Sequence, residues 1–295
     1  MRKTAIIFTA IILVLSLGSC GGNAANKVTG ADYPVTVYGE EIEKCPQKVI
    51  CLSPAVTDVV IALGSDAQLI GVSDNCDNER ELETYGSSAM PETDKIIASG
   101  AEIIISDGTI PDGDKKKIAD SGKQVIITPT VTKYEDFSEL YKSVASIFSG
   151  YTTGGNNAEN TMKRIDKRVD AIKTKVSQAE AVSAVILLSD GVAAPKGTLA
   201  DQMLSFAGGK NISGDEYSID YAEIIKADPE HIFCPADMVD EIKADKNFGE
   251  LKAVKNGNIT ALSPLYFERY GENVALGLEI MASSLHPDLV RSPLK

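Results

Sequence analysis

Residues 263–271 read SPLYFERYG and gather Tyr266, Phe267, Glu268, Arg269 and Tyr270 directly after an apolar run. Aromatic faces of this kind can lie flat against a macrocyclic ligand. A guanidinium beside them can meet an anionic ligand oxygen through charge-assisted hydrogen bonds. The same cluster could equally seat a helix, with Phe267 and Tyr270 packed beneath it and Glu268 and Arg269 as a local ion pair. The rest of the chain offers little for catalysis. It has two histidines, His231 and His286, and no tryptophan, so a His-based triad or a zinc site lacks material. GTIPDGDK (108–115) nearly has P-loop spacing, but Asp114 stands where a lysine must neutralise phosphate. G-x-S-x-G, H-E-x-x-H and C-x-x-C are absent. The expectation is a binding protein, not an enzyme, with no catalytic residue, cofactor or metal site.

The elements that must position this cluster show an α/β rhythm. YPVTVYGEEIEKC predicts a short hairpin around Gly39. KVICLS (48–53), QLIGVS (68–73), EIIIS (102–106) and KQVIIT (123–128) are strand-length apolar runs. Helices are predicted between them, at 57–64 and over DKKKIADSG, with another at 134–148, where Phe137, Leu140, Tyr141, Val144 and Phe148 share one face. Runs apolar throughout and separated by helices indicate parallel strands covered on both sides. SGYTTGGNNAEN (149–160) reads as a break. After it, Met162, Ile165, Val169, Ile172 and Val176 form one apolar stripe on a charged helix, roughly 30 Å long at 1.5 Å per residue. The rhythm then restarts with strands at 181–189, 231–235 and 258–263, and helices at 198–209, 220–228 and over ENVALGLEIMASSL, where Val274, Leu278, Met281 and Leu285 face the core. Two Rossmann-like α/β lobes with parallel sheets, joined by one long rigid helix, are the predicted architecture. The expected boundaries are 34–150, 151–179 and 180–295.

Ahead of the lobes, Arg2 and Lys3 precede the apolar run Ala5–Leu17. Its roughly 20 Å of helix is short for a hydrocarbon core of about 30 Å and fits a secretory signal over 1–19. LGSC, ending at Cys20, resembles the bacterial lipobox, which implies lipidation of that cysteine. Residues 20–33 are small and polar, as a flexible tether would be. Removing residues 1–19 leaves 27 basic against 42 acidic side chains, a balance of −15. So acidic a chain is a poor partner for nucleic acid. Of the remaining cysteines, Cys51 and Cys234 sit in strand-like runs as small core residues, and a Cys45–Cys51 bridge is open.

Six segments occur in the order found in one family: KVICLSPAVTDVVIALG, LIGVSDNCD, AEIIIS, FAGGKNI, KADPEHIF and YFERYGENVALGLEIMASSLHPD. Over roughly residues 45–288 the chain resembles the substrate-binding lipoproteins of ABC importers that carry cobalamin, haem and ferric siderophores. The resemblance implies a ligand cleft between the lobes, delivery of a metal chelate to a permease and its ATPase, and a monomer lipid-anchored through Cys20 to the outer face of the bacterial cytoplasmic membrane. SPAVTD and FER look closest to cobalamin binders, although the absent tryptophan removes an aromatic wall such proteins often use. The shortage of histidine speaks against carriage of bare zinc or manganese.

Parallel sheets bind ligands beyond the carboxyl ends of their strands. That rule selects Ser53, Pro54, Ala55, Asn75, Cys76, Asp107, Gly108, Thr109 and Thr130 in the first lobe. In the second it selects Asp190, Gly191, Pro235, Ala236 and the cluster of Tyr266, Phe267 and Arg269, with Tyr217 as a further aromatic. Tyr266 and Arg269 are expected to face the ligand, and Phe267 and Tyr270 to seat the last helix. The family docks on its permease through one rim acid per lobe. Here the nearest matches are Asp94 and Glu223, the second off by one because Ala222 holds the matching position. The rival readings are a lipid-anchored chelate sensor without a transporter, and an enzyme on the same scaffold.

Overall fold

In a computed structural model, residues 32–76, 80–189, 191–219 and 221–293 are described. The signal segment, Cys20, most of the tether and Asp190 therefore lie outside the described residues.

The chain enters through the expected hairpin, β1 (Val35–Val37) and β2 (Glu40–Ile42), paired antiparallel. Tyr38 and Gly39 have φ of 50° and 87°, the left-handed pair that a two-residue hairpin turn requires. The first lobe then runs β3 (Val49–Cys51), α1 (Pro54–Ala62), β4 (Leu69–Val72), β5 (Glu83–Thr84), α2 (Thr93–Ala98), β6 (Ile103–Ser106), α3 (Asp112–Asp120), β7 (Gln124–Ile127) and α4 (Phe137–Ser149). Its sheet has the order β5-β4-β3-β6-β7, and every pair is parallel. Alternation along β6 divides the core in two: Ile103 and Ile105 belong to the core that holds Val56, Val144 and Phe148, and Ile104 to the one that holds Ile96 and Ile118.

The second lobe runs β8 (Val182–Ser189), β9 (Val192–Ala193), α6 (Leu199–Phe206), β10 (Gly209–Asn211), α7 (Tyr221–Ala227), β11 (His231–Cys234), α8 (Met238–Ala244), α9 (Lys252–Lys255), β12 (Ile259–Ala261), α10 (Leu265–Glu268) and α11 (Asn273–Leu285). Here the order is β10-β8-β11-β12 in parallel, with β9 antiparallel on β8. Val185 and Leu187 share a core with Ile232, Ile224 and Phe248, whereas Ala184 and Ile186 turn to the face carrying Met203, Leu278 and Met281.

Between the lobes, α5 (Tyr151–Val176) is a single helix of 26 residues, about 39 Å long. The predicted break over 149–160 is wrong. Only Gly150, at φ 76°, interrupts the helices, and 151–160 is the first part of α5. Asp32 accepts hydrogen bonds from the Thr152 amide at 3.0 Å and the Thr153 hydroxyl at 2.8 Å, satisfying donors that a helix start leaves open. The stripe Met162, Ile165, Val169, Ile172 and Val176 is buried as expected. On α5's outer side, Arg168 holds Glu279 of α11 with two bonds, 2.8 and 3.1 Å. The short elements β5, β9, β10, α8 and α9 were not anticipated, being too short to show a period.

No Cys45–Cys51 bridge exists, because Cys51 is a free, fully buried thiol. Burial pushes it up to about 12, so it behaves as a small core residue. Cys234 is likewise free and buried.

His231 opens β11 at 4% exposure, its Nε2 2.8 Å from the Thr260 hydroxyl and its ring stacked on Phe233. Burial lowers its pKa to about 4 from 6.5. The unfolded chain therefore takes up a proton below about pH 6.5 that the folded chain refuses until about pH 4. This stability is fully present above the unfolded value and is lost as pH falls across that window, by up to about 3 kcal/mol. Urea melts of His231→Gln across pH 4–7 should show a flatter pH dependence than the parent. Identical slopes would mean that the ring is hydrated.

Candidate functional site

The carboxyl ends of β7 and β8 bring the lobes face to face around a cavity of about 330 Å³. The first lobe contributes Thr130, Val131 and Thr132, which follow β7. The second contributes Leu188 near the end of β8, Gly197 to Ala200 at the start of α6, Tyr217, and Phe267, Glu268 and Tyr270. Thr198 caps α6 and spends its hydroxyl locally, donating to the Pro195 carbonyl at 2.8 Å. Tyr217 is an exposed ring at the rim, whereas Phe267 is 8% exposed.

Tyr270 ties the two lobes together at the cavity floor. Its carbonyl accepts the Tyr141 hydroxyl at 2.9 Å. Burial raises the phenol's pKa, and the nearby Asp107 carboxylate raises it further. The wall thus offers two aromatic rings from the buried side, a third at the rim, threonine hydroxyls and a carboxylate. No Lys, Arg or His lines it among the described residues.

Within the aromatic cluster, Phe267 of the residues selected at the strand ends lines the cavity, and Tyr266 and Arg269 do not. Arg269 does not face the cavity: it is 4% exposed, and its Nη1 lies 3.1 Å from Oδ1 of Asp58 on α1. Its Nη2 also donates to the Asn75 carbonyl at 3.4 Å. A guanidinium taken so far from water needs a carboxylate partner, and α1 supplies it from the opposite lobe. Tyr266 is half-buried against α11, where a Cβ built on Gly277 would lie 2.6 Å from the Tyr266 Cβ. Phe267 and Tyr270, expected to seat the helix, line the cavity instead. Gly277 inside ENVALGLEI was the readable signal, since a bare stretch of helix backbone accepts a neighbouring ring.

Other expected residues divide similarly. Ser53 is fully buried and its Oγ accepts the Val56 amide at 3.0 Å, with Pro54 in the first turn, so both begin α1 and Ser53 presents nothing to the cleft. Asn75 is exposed, and its Oδ1 accepts the Ser73 hydroxyl. Cys76 is half-buried with its Sγ 3.6 Å from the Thr57 hydroxyl, and burial raises its pKa. Gly108 packs against Ser88, Thr109 and Ala236 are exposed, and Pro235 is half-buried. None of these lines the cavity, whereas Thr130, Tyr217 and Phe267 do.

A larger hollow of about 650 Å³ runs along α1, between Ile61, Ala62 and Leu82 on one side and Gly271 to Asn273 on the other. It takes nothing from the strand ends of the second sheet, and its wall includes Arg80, which follows the undescribed residues 77–79. Strand-end geometry therefore favours the smaller cavity.

Asp94 and Glu223 are exposed and stand in the first turns of α2 and α7. Each helix leads into the strand beside its lobe's first sheet strand, α2 into β6 next to β3 and α7 into β11 next to β8. The two acids thus hold equivalent places in the two lobes. Glu92, beside the first, is engaged by Lys95 at 3.2 Å.

Two facing parallel sheets joined by a continuous helix, with a lined cleft between them, define a two-lobed solute-binding protein. The chain belongs to the periplasmic binding protein family, whose model matches residues 49–265. Members of that family are solute-binding proteins, not enzymes. The chain is 27% identical over 98% of its length, and 99% of the relative's, to an uncharacterized ABC transporter substrate-binding lipoprotein, YvrC, of Bacillus subtilis strain 168. It is 22% identical to the vitamin B12-binding protein of Vibrio parahaemolyticus, over 80% of this chain and 86% of that one. The solved periplasmic heme-binding protein RhuT from Roseiflexus sp. RS-1, in its apo form, shares the fold with a TM-score of 0.70 at 16% identity, covering 82% of this chain and 98% of that structure.

Proposed function

We propose that the protein captures a metal chelate, a corrinoid such as cobalamin or a ferric siderophore or haem, in the cleft between its lobes and delivers it to an ABC permease. The observation that carries this reading is the cavity at the facing strand ends, to which both lobes contribute and which Phe267, Tyr270 and Tyr217 line with aromatic surface. Relatives with vitamin B12 and iron(3+)-hydroxamate in their names support the ligand class. Export and a lipid anchor at Cys20, expected from the lipobox, place the capture step outside the cytoplasmic membrane. Asp94 and Glu223 form the docking rim, one acid per lobe. Closure around ligand is small, because α5 and the Arg269–Asp58 pair both resist relative motion of the lobes.

Titration calorimetry of residues 21–295 against cyanocobalamin, cobinamide, haemin and ferric siderophores tests the reading. Saturable binding of at least one chelate is expected. Tyr217→Ala should weaken it about fivefold without changing stability, since an aromatic contact contributes about 1 kcal/mol and 1.4 kcal/mol is tenfold. Failure to bind any of these chelates would sink the chelate reading.

A further inference from the structure

We infer that the cleft selects chelates that carry no net negative charge. This deepens the reading above and rests on it. The described lining of the cavity holds one formally charged side chain, Glu268, and that is exposed at the mouth. Asp107, just past the end of β6, acts electrostatically on the Tyr270 phenol. Asp74 is exposed in the loop after β4.

The cation that the sequence places nearest, Arg269, is withdrawn. Its guanidinium lies buried against Asp58 and the Asn75 carbonyl, so releasing it to a ligand would strand a carboxylate in the interface between lobes. Lys133 and Lys196 neighbour lining residues in sequence, but both are exposed and neither lines the cavity. Lys133 also lies 3.9 Å from Asp136. The start of α6 carries the partial positive charge of a helix end, yet Asp201 in its first turn accepts the Gly197 amide at 2.9 Å and offsets it.

A propionate or catecholate entering this cleft would lose water, meet no counter-charge and face Glu268 and Asp107. Like charges brought together at a binding surface disfavour association and so reject the wrong partner. An amide-fringed corrin or a neutral or cationic hydroxamate complex meets hydroxyls, a carboxylate acceptor and ring faces instead.

Dissociation constants measured in the same buffer for cyanocobalamin (neutral), ferrioxamine B (cationic), haemin (two propionates) and a ferric tris-catecholate (strongly anionic) test this. Binding by a neutral or cationic probe, with both anionic probes about 10-fold weaker or more, is the expected result. Glu268→Gln should narrow that gap by tightening the anionic probes relative to cyanocobalamin. If haemin or the catecholate binds tightest, the charge selection is overturned and chelate capture stands. A gap that Glu268→Gln leaves unaltered also overturns it, and binding of no probe takes down both readings.

Discussion

Replacing Arg269 with alanine is expected to cost about 3–5 kcal/mol of stability, a drop of roughly 10 °C in Tm for a chain of this size. The side chain is 4% exposed and Asp58 15%, and they belong to opposite lobes 211 positions apart in sequence. Truncation leaves the Asp58 carboxylate in an interface that water does not reach freely, which is the costly way to break a buried pair. Exchanging both partners for apolar residues, in an Arg269→Met and Asp58→Leu double variant, should recover most of the loss. Urea melts of the single and double variants give the comparison. A single variant within about 1 kcal/mol of the parent would mean a solvated pair, and would return Arg269 to the ligands.

The second large effect concerns Gly154, four residues into α5. Helix propensity alone predicts that Gly154→Ala stabilises by about 1 kcal/mol. A Cβ there would lie 2.6 Å from the carbonyl oxygen of Ala145 and 2.7 Å from its carbon, both backbone atoms of α4. Backbone cannot swing aside as a flexible side chain can, so the helices must separate, and a net loss of about 3 kcal/mol is expected. Gly155 supplies the control. A Cβ at that position meets nothing within 4 Å, so Gly155→Ala should stabilise by up to about 1 kcal/mol. Thermal melts of the two variants should therefore move in opposite directions, and a shared gain would show that the crossing is loose.

Much of the fold was legible because it rests on long, strongly patterned segments. EIIIS and AVSAVILLS carry continuous apolar runs, Ile103–Ile105 and Ala184–Leu188, whose cores are buried on both faces, and the α5 stripe lies on its predicted face. The start of α5 was missed because Gly154, Gly155 and two asparagines look like a loop when propensity is summed. What makes that stretch helical is tertiary: the Asp32 cap from a distant segment and the close crossing over α4. The candidate site was legible only in outline. Of the residues chosen at strand ends, Thr130 and Phe267 line the cavity and Ser53, Asn75, Cys76 and Gly108 do not, and side-chain direction within SPLYFERYG depended on two remote partners, Asp58 on α1 and Gly277 on α11, of which local spacing carries no record. The most chemically attractive residue of the chain, Arg269, turns out to hold the lobes together.

The central claim is that chelate sits between Phe267, Tyr217 and Thr130 at the facing strand ends. Amide hydrogen exchange, with and without the chelate that binds, tests it most directly. The account predicts slowed exchange in residues 130–132, 197–200 and 215–219, from both lobes at once. Protection confined to α1 and residues 271–273, around the larger hollow, would contradict it.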